Sequence, residues 1–310
     1  MLGGRYRRDT SDLIVPLPGE TLNSHLDALR TMIKLGVDFI ANHNMRLLAG
    51  AETNSRETRE RFNFKTKYRL IHGDAGSYRT PDGKEIRVFE YEESLRSTDT
   101  MSESDLYFLR KLHFLVSFCW NIEVYKPLLT LAQDHNIDPI DILIALIETP
   151  SLSAFFADFD SRSRTEWFDT AANIEAHFDQ PGNWGLLVSQ EYEKLNVQFS
   201  IIALRDYKDT LDQAILSIIS GYGRIDDAQI KDVAALTFAL FPSIGNAAPN
   251  DPVIIANRSI KLNETTNRTK LRSLITSNRA ITLSKVLDTQ GISLMDLRLA
   301  AVDDPRPRAE

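Results

Sequence analysis

The 310-residue chain carries 36 Lys and Arg against 43 Asp and Glu, a net charge of −7 with a pI near 5.5, and 43% hydrophobic residues. That composition suits a globular protein with a sizeable core and offers no basic footprint for nucleic acid. The single cysteine, Cys119, excludes an intramolecular disulfide and a cysteine-held metal cluster, and neither a signal-peptide h-region nor a run of about 20 apolar residues occurs, so a cytoplasmic protein is expected.

Residues 11–16 suit a short buried strand that ends in Leu17-Pro18-Gly19-Glu20-Thr21. Leu22, Leu26, Leu29 and Ile33 then recur on one face, which predicts a helix over 21–35. Thr21 can cap it, and Gly36 closes it where a left-handed residue usually stands. Residues 37–48 return to extended structure, so strand, helix and strand form a βαβ unit with parallel strands. A charged helix over 55–62 precedes two strands, 67–71 and 85–91. A wide loop over 73–84, turning at Pro81-Asp82-Gly83, joins them into a hairpin.

From Ser102 the period becomes helical. Ser102 with Asp105 has the form of a capping box, and residues 106–120 are apolar around most of the helix, the mark of a buried helix. Helical patterns continue over 139–147, 151–159, 164–178, 184–202, 211–219, 227–241, 271–287 and 294–302, with the turn-rich stretch 242–252 as a linker. The expected fold class is α+β, with a β/α unit over 1–62, a hairpin connector over 63–100 and an α-helical domain over 101–310.

Candidate chemistry is sparse. None of the six histidines shows the spacing of a zinc-protease helix, and His113 reads as a hydrogen-bonded histidine on an apolar helix. Cys119, between Phe118 and Trp120, reads as a small buried hydrophobe. No G-x-S-x-G elbow, P-loop or dinucleotide glycine pattern occurs, and Gly221-Tyr222-Gly223-Arg224 reads as a helix end and turn. Glu92-Glu93 and Asp226-Asp227 read as solvated charge. The Pro18-Gly19 turn most simply makes the corner from strand to helix. Ligands of open α/β and barrel folds nevertheless sit at the carboxyl ends of parallel strands, so its backbone amides could meet a small polar ligand.

The stretch LIVPLPGETLNSHLDALRTMIKLGVDFIANHNMRLLAGAE resembles the late β/α units of a radical S-adenosylmethionine (SAM) enzyme barrel. In that family a strand ending in G-L-P-G-E-T leads into a helix, and a later strand ends in a motif like L-L-P-G-T-E. The segment that follows resembles the post-barrel region of cobalamin-binding radical SAM proteins. The specific points are Lys67-Tyr68-Arg69-Leu70, Glu90-Tyr91-Glu92-Glu93, Ser97-Thr98 and Met101-Ser102. The resemblance spans residues 10–120 and implies the remnant of a radical SAM β/α barrel, its last βα units, followed by a variable helical tail. It places Pro18, Gly19 and Glu20 at the SAM end of the barrel with Ala49 and Gly50 nearby, and it implies radical methylation or a related oxidoreductive step on an unidentified substrate.

Two departures bear on that expectation. Ala49 and Ala51 stand where the family tends to have Pro and Thr. More seriously, the C-x-x-x-C-x-x-C motif that holds the [4Fe–4S] cluster is absent, because one cysteine cannot supply three thiolates, and the amino-terminal cobalamin-binding domain is absent too. The resemblance therefore implies a carboxyl-terminal portion of such an enzyme, from a truncated gene, a miscalled start or a split enzyme. Its partner would be the half that carries the cluster, and the chain alone would not cleave SAM. Two further readings stay open. One is a non-catalytic helical interaction protein that kept a barrel remnant as scaffold. The other is a different α/β enzyme built on Glu20, His43 and Arg46 around the strand ends.

Overall fold

The computed structural model describes residues 9–188 and 194–241 and two short strands, Pro252–Ile254 and Ala280–Thr282. The architecture is mixed α+β. Strands β1 (Thr10–Val15) and β2 (Phe39–Asn44) pair in parallel, from Thr10 opposite Phe39 to Val15 opposite Asn44, with helix α1 (Leu22–Lys34) crossing between them. Thr21 and Ser24 cap α1 reciprocally: Ser24 N donates to Thr21 Oγ1 at 3.1 Å, and Thr21 N donates to Ser24 Oγ at 2.9 Å. Leu26, Leu29 and Ile33 turn into the core, and Gly36 ends the helix with φ +78°. The βαβ unit expected from the sequence is present.

The two edges of this pair differ. On β2, Asn121 replaces a strand: Ile40 N donates to Asn121 Oδ1 and Asn121 Nδ2 donates to Ile40 O, each at 2.9 Å. Beyond β2 the chain runs antiparallel to the end of the hairpin, with Leu47 N donating to Glu93 O and Leu95 N to Met45 O, both at 2.9 Å. The outer edge of β1 pairs with no other described strand. Ile14, 47% exposed, Asp12 and His43 mark the open face of the same pair.

A short helix, α2 (Arg56–Arg61), leads into the hairpin β3 (Lys65–Arg79) and β4 (Glu85–Ser97). The wide loop expected over 73–84 is corrected: β3 continues to Arg79, and a tight turn closes the hairpin with Thr80 N donating to Lys84 O at 2.9 Å. A register shift between Leu70 and Ala75 absorbs the extra residues. Gly73, Asp74 and Gly76 look like loop signals in sequence, but glycine within a strand also marks a bulge.

Helix α3 (Glu103–Leu115) is capped as expected, with Asp105 N donating to Ser102 Oγ at 3.1 Å and Ser102 N to Asp105 Oδ2 at 2.9 Å. Ser102→Ala will lower stability by about 1 kcal/mol, read as a lower urea midpoint with an unchanged slope. A π-helical turn, Val116–Asn121, extends α3 and lets Trp120 Nε1 donate to Val37 O at 2.9 Å. Seven further helices line up with or refine the sequence pattern: α5 (Pro139–Glu148), α6 (Ser153–Thr165), α7 (Ala171–Phe178), α8 (Pro181–Val188), α9 (Leu195–Asp206), α10 (Lys208–Gly221) and α11 (Asp227–Leu240). Before them comes α4 (Lys126–Asp134), which the sequence did not announce because Pro127 interrupts its pattern; in the first turn of a helix, proline costs nothing.

Two expected helices are corrected. The helix over 164–178 is broken between α6 and α7, where Phe168 bridges to β3 through Phe168 N to Tyr68 O at 2.9 Å and Tyr68 N to Phe168 O at 2.8 Å. Thr170 then caps α7, so a polar capping site within the apolar pattern starts a second helix. The helix over 184–202 is replaced by α8 and α9, with 189–193 outside the described residues. The helices expected over 271–287 and 294–302 and the linker 242–252 lie outside the described residues, apart from Ala280–Thr282 and Pro252, which belong to an antiparallel strand pair rather than to a helix or linker.

One apolar cluster joins Val15, Leu26, Leu29, Ile33 and Ile40 of the β/α unit to the helices as far as Phe241. Phe114 sits within it, against Phe155 and Phe159 at ring-centroid distances of 5.8 and 5.2 Å. A second cluster, Leu70 with Ile174, Phe178, Trp184 and Leu187, backs the hairpin. Among the described residues the strands form two-stranded sheets and no closed barrel. No single described helix is long and apolar enough to cross a membrane.

Candidate functional site

The carboxyl ends of β1 and β2 open onto a cavity of about 390 Å³, closed on the other side by the hairpin, α3 and the start of α9. The β/α unit supplies Asn42, His43 and Arg46; the hairpin supplies Arg69, Glu92 and Arg96; α3 supplies Arg110 and His113; Glu166 follows from the break after α6. Each is placed by a local feature of the chain. The Arg46–Ser94 bridge draws the strand ends to the hairpin, and the Tyr68–Phe168 bridge brings Glu166 and Trp167 beside it.

Five cations, Arg46, Arg69, Arg96, Arg110 and Lys194, face two carboxylates, Glu92 and Glu166, in a chain that is acidic overall. Glu92 is buried, not the solvated charge its sequence neighbourhood suggests: Arg69 Nη2 donates to its Oε1 at 2.6 Å, and Arg46 pairs with its other oxygen. Glu93 is likewise held, by Arg59 at 2.7 Å and Thr66 at 2.6 Å. Arg110 pairs with Glu166. Arg96 is only 2% exposed, lies over Trp167 at 4.1 Å and Tyr107 at 4.8 Å, and reaches Glu103 only at 3.4 Å. Its Nη2, and Nε of Arg110, have no hydrogen-bond partner among the described residues. Burial pulls the pKa of both guanidinium groups down; at Arg110 the Glu166 carboxylate opposes this, while Arg69 and Arg96 add to it. The cavity therefore holds more positive charge than its own carboxylates neutralise.

A hydrogen-bonded chain reaches the same cavity from the opening turn. Gly19, at φ +80°, lets the turn close with Glu20 N donating to Leu17 O at 3.0 Å and Leu17 N to Glu20 Oε2 at 2.7 Å. Glu20 Oε1 then lies 2.9 Å from His25 Nδ1, and His25 Nε2 lies 2.9 Å from His113 Nε2. His25 is 1% exposed. Burial pushes the His113 pKa well below its ordinary value, and His25 and Arg110 push the same way. In the tautomers that satisfy both contacts, His25 Nδ1–H donates to Glu20 and His113 Nε2–H donates to His25 Nε2. His113 Nδ1 then carries a lone pair.

This lowered pKa has a stability signature. Above the ordinary histidine value, near 6.5, neither folded nor unfolded His113 binds a proton. Below it the unfolded chain takes one up and the folded chain does not, so stability falls with falling pH until the folded pKa is reached. His113→Gln will remove a slope of about 1.4 kcal/mol per pH unit from that acid limb, measured by urea unfolding at stepped pH below 6.5.

The residues singled out in the sequence fall in different places. Glu20 enters the histidine chain, whereas Pro18, half-buried, and Gly19, exposed, form its turn and do not border the cavity. Ala49 and Gly50 are exposed in a turn, with Gly50 at φ +79°, and do not border it either. His43 and Arg46 do border it, although His43 also pairs with Asp12 at 3.2 Å on the open face. Sequence reasoning missed Arg69, Arg96, Arg110, Glu166 and the pairing of His25 with His113. One signal was readable: Arg110 and His113 stand three apart, hence on one face, among the apolar residues Leu106, Leu109, Leu112 and Phe114.

A [4Fe–4S] cluster does not fit the described residues. Cys119 is enclosed in the core with its thiol pKa pushed far up by burial, and among the described residues no group of three His, Cys, Asp or Glu side chains is placed to hold a metal. Neither a scan against protein-family models nor a search of curated proteins finds a match to this chain.

Proposed function

We propose that the chain is the carboxyl-terminal part of a cobalamin-binding-type radical SAM enzyme, with the cluster supplied by another segment or subunit. The supporting observation is the β1–α1–β2 unit itself: its strands are parallel, their carboxyl ends open onto a polar cavity, and the outer edge of β1 has no described neighbour. Parallel strands occur almost only in sheets covered on both faces, and a bare edge is a template for another strand. In this reading the Pro18-Gly19-Glu20 and Ala49-Gly50 turns face SAM held mainly by the missing half, and the chain alone does not cleave SAM. This chain's own residues hold and orient the substrate end of the site. A cytoplasmic location, where Cys119 stays reduced, belongs to the same reading.

The full chain, tagged and isolated anaerobically from its native source, will bring down a polypeptide that carries iron and sulfide. Ile14→Lys, on the open face, will abolish that association while leaving the far-ultraviolet circular dichroism unchanged. An iron-free monomer that captures no such polypeptide sinks the proposal. It would favour the second reading, a helical scaffold protein, which draws support from the single apolar core shared by the β/α unit and the helices.

A further inference from the structure

We propose that the cavity at the carboxyl ends of β1 and β2 binds a small molecule bearing a carboxylate or phosphate group, and that binding draws a proton onto the His113–His25–Glu20 chain. The inference stands on the cavity alone and holds whether or not a cluster-bearing partner exists.

The anion is called for by the charge that the cavity leaves unbalanced, Arg46, Arg69, Arg96, Arg110 and Lys194 against Glu92 and Glu166. Arg96 is almost wholly buried yet has one nitrogen, Nη2, with no partner among the described residues, and Arg110 Nε is in the same condition. A buried donor without an acceptor is costly, and a guanidinium is the side chain best matched to a planar carboxylate or a phosphate. Arg96 is also held rigidly, stacked on Trp167 and Tyr107, so little ordering remains for a ligand to impose. Glu92 and Glu166 already have their arginines and leave the excess positive charge in place. A cavity of about 390 Å³ takes a metabolite-sized molecule and is too small for a folded partner.

The proton follows from what stands beside those arginines. His113 borders the cavity, and its Nδ1 has no hydrogen-bond partner among the described residues. The charged and titratable groups around it are His25 from α1, Glu20 from the opening turn, Arg110 from its own helix, Arg69, Glu92 and Arg96 from the hairpin, Glu166 after α6, Lys194 before α9 and His43 from β2. An anion on Arg96 and Arg110 offsets the Arg110 charge, which adds to burial and to His25 in holding the His113 pKa down. A proton from solvent then binds His113 Nδ1, and the resulting imidazolium is balanced by Glu20 through His25. No bond other than that N–H is made or broken.

The test is titration calorimetry of the full chain with inorganic phosphate and, separately, with succinate, each at neutral pH in two buffers of different ionisation enthalpy. At least one of the two anions will bind, and the apparent enthalpy will differ between buffers as expected for uptake of a proton. Arg110→Gln and Arg96→Lys will each weaken binding about tenfold or more; the pair guards against a fold lost through the Arg96 stack. His113→Gln will keep most of the affinity but lose the buffer dependence. A response to phosphate alone assigns a phosphorylated ligand, and a response to succinate alone assigns a carboxylic acid. Absence of binding by both anions, or binding untouched by either arginine variant, overturns the site. Binding with no buffer dependence in the parent chain overturns the proton linkage.

Discussion

Asp212→Ala is expected to cost about 3–5 kcal/mol in urea unfolding, several times the loss expected at a helix cap such as Ser102. Lys208 is fully enclosed, and its ammonium pairs with Asp212, which also accepts from Tyr125 OH at 2.7 Å. The ammonium lies over Tyr125 at 5.1 Å and Phe238 at 4.8 Å. Burial drives both charges toward their neutral forms, lowering the Lys208 pKa and raising that of Asp212, while each partner pulls the other back. Removing Asp212 leaves a cation and a phenol with nothing to meet in the core. A buried ion pair is nonetheless weak support for stability, because its desolvation offsets most of its attraction. The triple replacement Lys208→Met, Asp212→Leu and Tyr125→Phe will therefore return stability to within about 1 kcal/mol of the parent, or exceed it. A cost of under about 1 kcal/mol for Asp212→Ala would mean that water reaches the pair.

The second large effect concerns the seam between the β/α unit and the helices. Asn121→Ala will cost about 3 kcal/mol, since it strands both the N–H and the C=O of Ile40, each worth about 1–3 kcal/mol when left unpaired in the core. Asn121 occupies the end of the π-helical turn, where the backbone widens enough to aim an amide at a strand edge. Asn121→Asp will be nearly as damaging, because a carboxylate accepts from Ile40 N–H but cannot donate to Ile40 O. Equal stability for Asn121→Asp and the parent would show that water, not the side chain, satisfies Ile40.

Elements whose local chemistry agrees with their surroundings were readable in the sequence. Thr21 with Gly36, Ser102 with Asp105, and the Gly221 to Gly223 helix end all act where their residue types predict, because caps and left-handed turns are decided within a few residues. The misread elements depend on distant contacts. β3 runs through its glycines because β4 lies opposite, and the helical pattern across 164–178 yields to a bridge with Tyr68. The cavity was the least legible part, since its arginines come from the segment just after β2, the hairpin and α3, and the sequence holds no local sign that these three segments converge. Glu20 was singled out for a turn at the end of a strand; its carboxylate instead reaches the cavity through two histidines separated by 88 positions.

The most direct measurement of the proposed incomplete β/α sheet is amide hydrogen exchange across Thr10–Val15, in the isolated chain and in the anaerobic complex with its iron-bearing partner. The amides of β1 that face away from β2 are predicted to exchange rapidly in the isolated chain and to become protected in the complex, while the amide of Ile40 is slow in both. Full protection of every β1 amide in the isolated chain would contradict the proposal, because that edge would already have its neighbour.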